Sequence, residues 1–100
     1  MLNHSILVGR LVSDPKKETK NDREIVTITL AVPRSYKNAD GEYETDFIPC
    51  ILWNNIAINT FEYCKKGDTL GVKGRLQSNE GKIELIAEKI TFLSSKKEEN

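Results

Sequence analysis

The sequence is poor in the residues that most enzyme chemistry needs. Its one histidine, His4, stands near the start with no nucleophile spaced to it, and its two cysteines, Cys50 and Cys64, have neither CxxC nor metal-ligand spacing. No glycine-rich phosphate loop and no HExxH occurs. Asp40, Glu42, Glu44 and Asp46 alternate along a polar stretch and read as a solvated edge. The expectation is a protein that is not an enzyme, with no catalytic residue, no metal and no cofactor. Both thiols are expected to be reduced core residues, which fits a cytoplasmic location. No apolar run approaches the roughly 20 residues of a membrane span. The N-terminus enters a strand-like run directly, so no secretory leader or organellar transit peptide is expected. Lys and Arg number 15 and Asp and Glu number 15, so the formal charge is zero. That balance argues against coating duplex DNA by bulk charge, while a local basic groove stays open because placement matters more than the sum.

One hundred residues suffice for a single core. His4 to Ser13 reads as a strand interrupted by Gly9, with a bulge or bend expected there. Asp14-Pro15 ends it, and Lys16 to Arg23 reads as a polar loop. Glu24 to Val32 alternates, with Val26, Ile28, Leu30 and Val32 on one face and Ile25, Thr27, Thr29 and Ala31 on the other. Arg34 to Glu44 reads as a long polar hairpin connection. Thr45 to Trp53 is the third strand, with Ile48, Cys50 and Leu52 inward and Phe47, Pro49, Ile51 and Trp53 outward. Asn54 and Asn55 are cap candidates for a helix of about three turns from Ile56 to Lys66, stopped by Gly67. Its inner face is expected to carry Ala57, Phe61 and Cys64. Thr69 to Gln77 and Lys82 to Leu93 complete the strands around an Asn79-Glu80-Gly81 turn, with Phe92 expected in the core. Five strands, bending glycines and one helix between the third and fourth strands match the all-β, five-stranded Greek-key barrel called the OB-fold. The domain is expected over residues 1–93, with a polar tail over 94–100.

The residues left off this core interleave rings with cations: Tyr36, Phe47 and Trp53 with Arg34, Lys37, Lys73, Arg75 and Arg10. A single nucleic-acid strand calls for that combination, because rings stack on bases and cations meet phosphates. Taken alone, Trp53 fits a core position as well as a platform, and Lys73 with Arg75 fits a solvated face. The two aromatics of the third strand share one parity, which favours a common platform. Tyr43 and Tyr63 stay unassigned between the two roles.

Ile6-Leu7-Val8-Gly9-Arg10-Leu11 before Asp14-Pro15, Thr29-Leu30-Ala31-Val32, Asp46-Phe47-Ile48 with Trp53, Lys65-Lys66-Gly67 and Val72-Lys73-Gly74-Arg75-Leu76 together resemble the bacterial single-stranded DNA-binding protein family. The resemblance spans residues 1 to about 93 and rests on an ordered set of short motifs. It implies an OB-fold, sequence-tolerant binding and protection of single-stranded DNA in replication, recombination and repair, and a homotetramer built as a dimer of dimers. It also implies stacking roles for Tyr36, Phe47 and Trp53. Three departures stand out. The hairpin from Gln77 to Lys82 has no ring, Pro49 removes a backbone donor in mid-strand, and Lys96 to Asn100 lacks the family's acidic tip that recruits replication and repair proteins. The alternatives are a primosome-accessory OB-fold dimer and an OB module that docks a protein or carbohydrate.

Overall fold

The computed structural model describes residues 1–95; the end of the expected polar tail, from residue 96, lies outside them. The elements are β1 (Ser5–Leu11), β2 (Lys16–Lys20), β3 (Arg23–Lys37), β4 (Tyr43–Leu52), α1 (Asn54–Tyr63), β5 (Thr69–Asn79) and β6 (Lys82–Ser94). The sheet runs β1-β5-β6-β4-β3-β2, and a further β1–β3 pairing closes it. Five strands make the ring, as the OB-fold requires, and β2 is a sixth strand laid on the outside of β3.

β2 corrects the expected loop over Lys16 to Arg23. Its five residues are all exposed, so it has no alternation to read. What makes it a strand is the turn that follows: Asn21 and Asp22 both have positive φ, at 52° and 64°, which suits a two-residue hairpin. Pairing then runs Lys20↔Arg23 to Lys16↔Thr27. The long connection expected after Val32 is also shorter than read, since β3 continues to Lys37 and pairs Lys37↔Tyr43 beyond a register shift. The turn closes on Asn38, whose Oδ1 accepts from the amides of Asp40 and Glu42 at 2.9 and 3.0 Å.

The core fills the ring from the inward parity of each strand. Leu30, Cys50, Leu52, Leu70 and Leu85 are each 0% exposed, with Leu11, Val26, Ile28 and Val72 beside them. Truncating any of these leucines to alanine costs about 2–5 kcal/mol. Burial pushes the Cys50 thiol up to about 12, so it stays protonated, and the Cys64 thiol is also raised, by burial and then by Asp68. Two glycines let strands pass closely. A Cβ on Gly74 would collide with the Ile86 carbonyl oxygen, and one on Gly9 would sit 2.8 Å from that of Ala31. Gly9 therefore marks the crossing of β1 onto β3; the β1–β5 register runs through it without the bulge expected there. Pro49 is likewise unbulged, paired with Thr29, and it precedes the short parallel seam Cys50↔Leu85 and Ile51↔Ile86.

The helix starts and stops earlier than its pattern predicts. Trp53 holds the cap position with no side-chain cap, and Asn54, expected to cap, is drawn into a left-handed φ of 56°. At the other end the amides of Lys65 and Lys66 donate to Asp68 Oδ2 and Asp14 Oδ1, at 2.9 and 2.8 Å. These carboxylates end the helix before the two lysines, and Gly67, with φ 93°, serves the turn after it. Ala57 and Thr60 take the buried positions, while Phe61 is 40% and Phe92 50% exposed, against the core expectation for both. At the N-terminus, the Asn3 amide donates from Nδ2 to the Leu76 carbonyl at 2.8 Å and accepts from the Leu76 N–H on Oδ1 at 2.9 Å. It copies a strand residue and covers β5 where β1 no longer pairs with it.

Candidate nucleic-acid interface

Cross-strand partners share a face of a sheet, so the register assembles the outer surface directly. One row runs Arg10↔Ala31↔Phe47 across β1, β3 and β4. A second runs Lys16↔Thr27↔Ile51↔Ile86↔Arg75 across β2, β3, β4, β6 and β5. Each row places an aromatic or aliphatic centre between or beside cations. Phe47 is 62% exposed, with only Ala31 directly across from it on β3. Its strand mate Ile51, expected on the same open face, is only 6% exposed.

The reason is a second, smaller cluster on the outer face. Ile25, Ile51 and Ile86 pack together and Trp53 lies against them, half-buried. Trp53 thus combines the two roles left open for it, part packing and part surface. It lines a groove of about 370 Å³ shared by Lys20 and Asn21 of the β2–β3 hairpin and by Arg75, Gln77 and Asn79 of the β5–β6 hairpin. The groove has an apolar floor, one indole, two cations and one carboxylate, Glu84. It can hold a flat base against Trp53 with a phosphate near Lys20 or Arg75.

The remaining candidates divide. Tyr36 is 63% exposed near the β3–β4 turn, within the register shift, and Tyr43, paired with Lys37 beyond it, is 60% exposed with the Lys37 ammonium 5.7 Å from its ring centroid. Tyr43 is therefore a surface ring. Arg34, read as an open cation, is instead held by Asp46, donating Nε–H and Nη2–H at 3.0 and 2.9 Å, with Glu44 at 3.8 Å. These hydrogen bonds hold the Asp46 carboxyl below its usual 3.8. The pair braces the β3–β4 hairpin, because Arg34 lies within its register shift and Asp46 is held opposite Val32 just before it. Arg75 also has a partner, Glu88 at 3.2 Å, but stays 46% exposed. Lys73 lies across a bulge from Arg75, opposite Ile6 and Lys89, so it belongs to a different stretch of the outer face.

Three cations of this surface, Lys16, Lys20 and Arg23, escape the sequence reading, since all fell in the supposed loop. Lys20 and Arg23 face each other across the Asn21-Asp22 turn. That pair of turn residues directly before an alternating run is the signal that could have found them.

Comparison with known proteins places the chain in a family. Residues 2–93 match the Single-strand binding protein family. The chain is 41% identical over 109 residues to Single-stranded DNA-binding protein B of Bacillus subtilis, covering 99% of this chain and 96% of that one. It is 43% identical over 106 residues to Single-stranded DNA-binding protein 3 of Listeria innocua, of which it spans 66%. In structure it is similar to the protein in a Plasmodium falciparum SSB complex with ssDNA, with a TM-score of 0.77, 24% identity and coverage of 94% and 96% of the two chains. A closed five-stranded ring, an outer face of rings and cations, and a family match over nearly every described residue make this chain a member of the Single-strand binding protein family.

Proposed function

We propose that the chain binds single-stranded DNA with little regard for sequence, as a non-enzymatic stacking and phosphate-binding surface. The observation that carries this reading is the pairing of an exposed Phe47 with Arg10 in one row and of Trp53 with Lys20 and Arg75 around one groove. Tyr36 extends the platform, Lys37 and Lys73 add phosphate contacts, and Arg34 works by bracing its hairpin. Each stacked base contributes about 1–3 kcal/mol and needs no base-edge hydrogen bonds, so binding tolerates sequence.

The same reading places the chain in replication, recombination and repair, in the cytoplasm at the nucleoid. It also places it in a homotetramer arranged as a dimer of dimers. Supporting assembly, Ile6 and Val8 are 75% and 54% exposed on the outer parity of β1, and Leu93, 50% exposed, lies over Gly71 opposite Val8. Contiguous apolar surface of this kind suits contact with a second copy.

The test is titration with dT oligomers while Trp53, the only tryptophan, reports by fluorescence. Emission should fall on binding, and the logarithm of affinity should fall linearly with the logarithm of salt. Unchanged emission and electrophoretic mobility with excess oligomer at low salt would defeat the proposal.

A further inference from the structure

Phe61 has no part in the outer face and none in the core. On α1 the buried positions belong to Ala57 and Thr60, leaving Ile58 61% and Phe61 40% exposed one turn apart. Beside them runs the helix-facing parity of the β2–β3 hairpin, where Lys17 pairs with Val26. Between helix and hairpin lies a groove of about 740 Å³, lined among others by Trp53, Ile58, Phe61, Lys17 and Arg23. That volume is within the roughly 300–1,000 Å³ typical of small-molecule sites. The Lys17 ammonium lies 4.4 Å from the Phe61 centroid, so a cation rests over a ring that is otherwise open.

Trp53 is the junction. It lines this groove and the outer-face groove with Arg75, and a third depression of about 510 Å³ holds Trp53, Arg23 and Arg75 together. Trp53 and at least one cation therefore line each of the three depressions around the end of β4. Glu24 and Glu62 also line the helix-side groove, and they cancel Lys17 and Arg23. A groove of no net charge with an aromatic wall suits a neutral base better than a run of phosphates.

We propose that a single strand stacked on Trp53 turns around the end of β4 into this groove, where Phe61 receives a further base. Lys17 holds the ring's face in the free protein and swings out on a flexible stem when the base arrives. The proposal rests on the single-strand reading above and adds a site on the opposite side of the β2–β3 hairpin.

The experiment compares wild type with Phe61→Ala and Phe61→Leu by dT titration over a series of lengths, with Trp53 emission as the readout. The shortest oligomers that quench Trp53 should bind all three alike. Longer ones should bind both variants about five-fold or more weakly. Equal affinities at every length overturn the proposal. Phe61→Leu keeps the apolar volume and so keeps the test valid should Phe61→Ala unfold. A Phe61→Trp reporter in a Trp53→Phe background should also be quenched by long dT. A reporter that stays unchanged while the oligomer is bound overturns the site and leaves the groove to an apolar peptide or a second copy. Failure of every oligomer to quench wild type would sink the single-strand reading itself. Wild-type quenching with unaltered Phe61 variants sinks this inference alone.

Discussion

At position 47 a phenyl ring stands 62% exposed on a strand, and six residues on, at position 53, an indole rests on Ile25, Ile51 and Ile86. The difference separates two substitutions that look equivalent in the sequence. Phe47→Ala should weaken oligonucleotide binding by about 1–3 kcal/mol while moving stability by no more than about 0.5 kcal/mol. Trp53→Ala should cost comparable binding and also about 1–3 kcal/mol of stability, as partial loss of a packed ring does. Urea melts beside dT titrations check both, and equal stability losses would put Phe47 in the core. The alternation of β4 made Phe47 legible. The satellite cluster under Trp53 was not, because Ile25, Ile51 and Ile86 come from three strands and only the curl of the sheet brings them together. The pairing of Arg34 escaped for a similar reason: its partner Asp46 lies twelve residues away on the opposite strand. That pair makes a pH prediction. Arg34 lowers the Asp46 carboxyl from 3.8, so its contribution is complete above that value and lost as pH falls through the lowered one. Thermal midpoints of wild type and Asp46→Asn should therefore differ most near neutral pH and converge as the solution is acidified below 3.8.

Elements with an apolar face announced themselves, and those without one did not. β3, β4 and β5 carry alternation through the ring, so their parities were readable; β6 buries Leu85, Ile86 and Ala87 in succession and offered no such pattern. β2 carries none, and its strand character is set by the Asn21-Asp22 turn and the neighbour it pairs with. The helix boundaries moved for local reasons, since Asp14 and Asp68 claim the amides that another turn would have used. Gly74 is the most demanding backbone position in the sheet. There β5 and β6 pass through a register shift with no room for a Cβ beside the Ile86 carbonyl. Gly74→Ala should lower unfolding free energy by about 1–3 kcal/mol through forced separation of the strands. Gly71→Ala, whose Cβ would meet ordinary contacts at 3.7 Å or more, should be nearly silent by the same denaturant measurement.

On the scale of the whole molecule, zero net charge and the proposed binding surface are compatible because Lys20 and Arg75 meet around one groove, so placement matters more than the sum. The exposed Ile6 and Val8 lie on the outer face of β1 and mark the proposed contact between copies. Val8→Glu should reduce the solution mass measured by sedimentation or light scattering while leaving each domain folded, and an unchanged mass would remove β1 from the assembly. The Asn3 clamp on Leu76 has a practical consequence for all such measurements. It fastens the beginning of the chain to the hairpin that carries Arg75, Gln77 and Asn79, one wall of the Trp53 groove. A purification tag or dye attached at Met1 is therefore anchored two residues from that fastening, and a bulky one should loosen the wall it was meant only to observe.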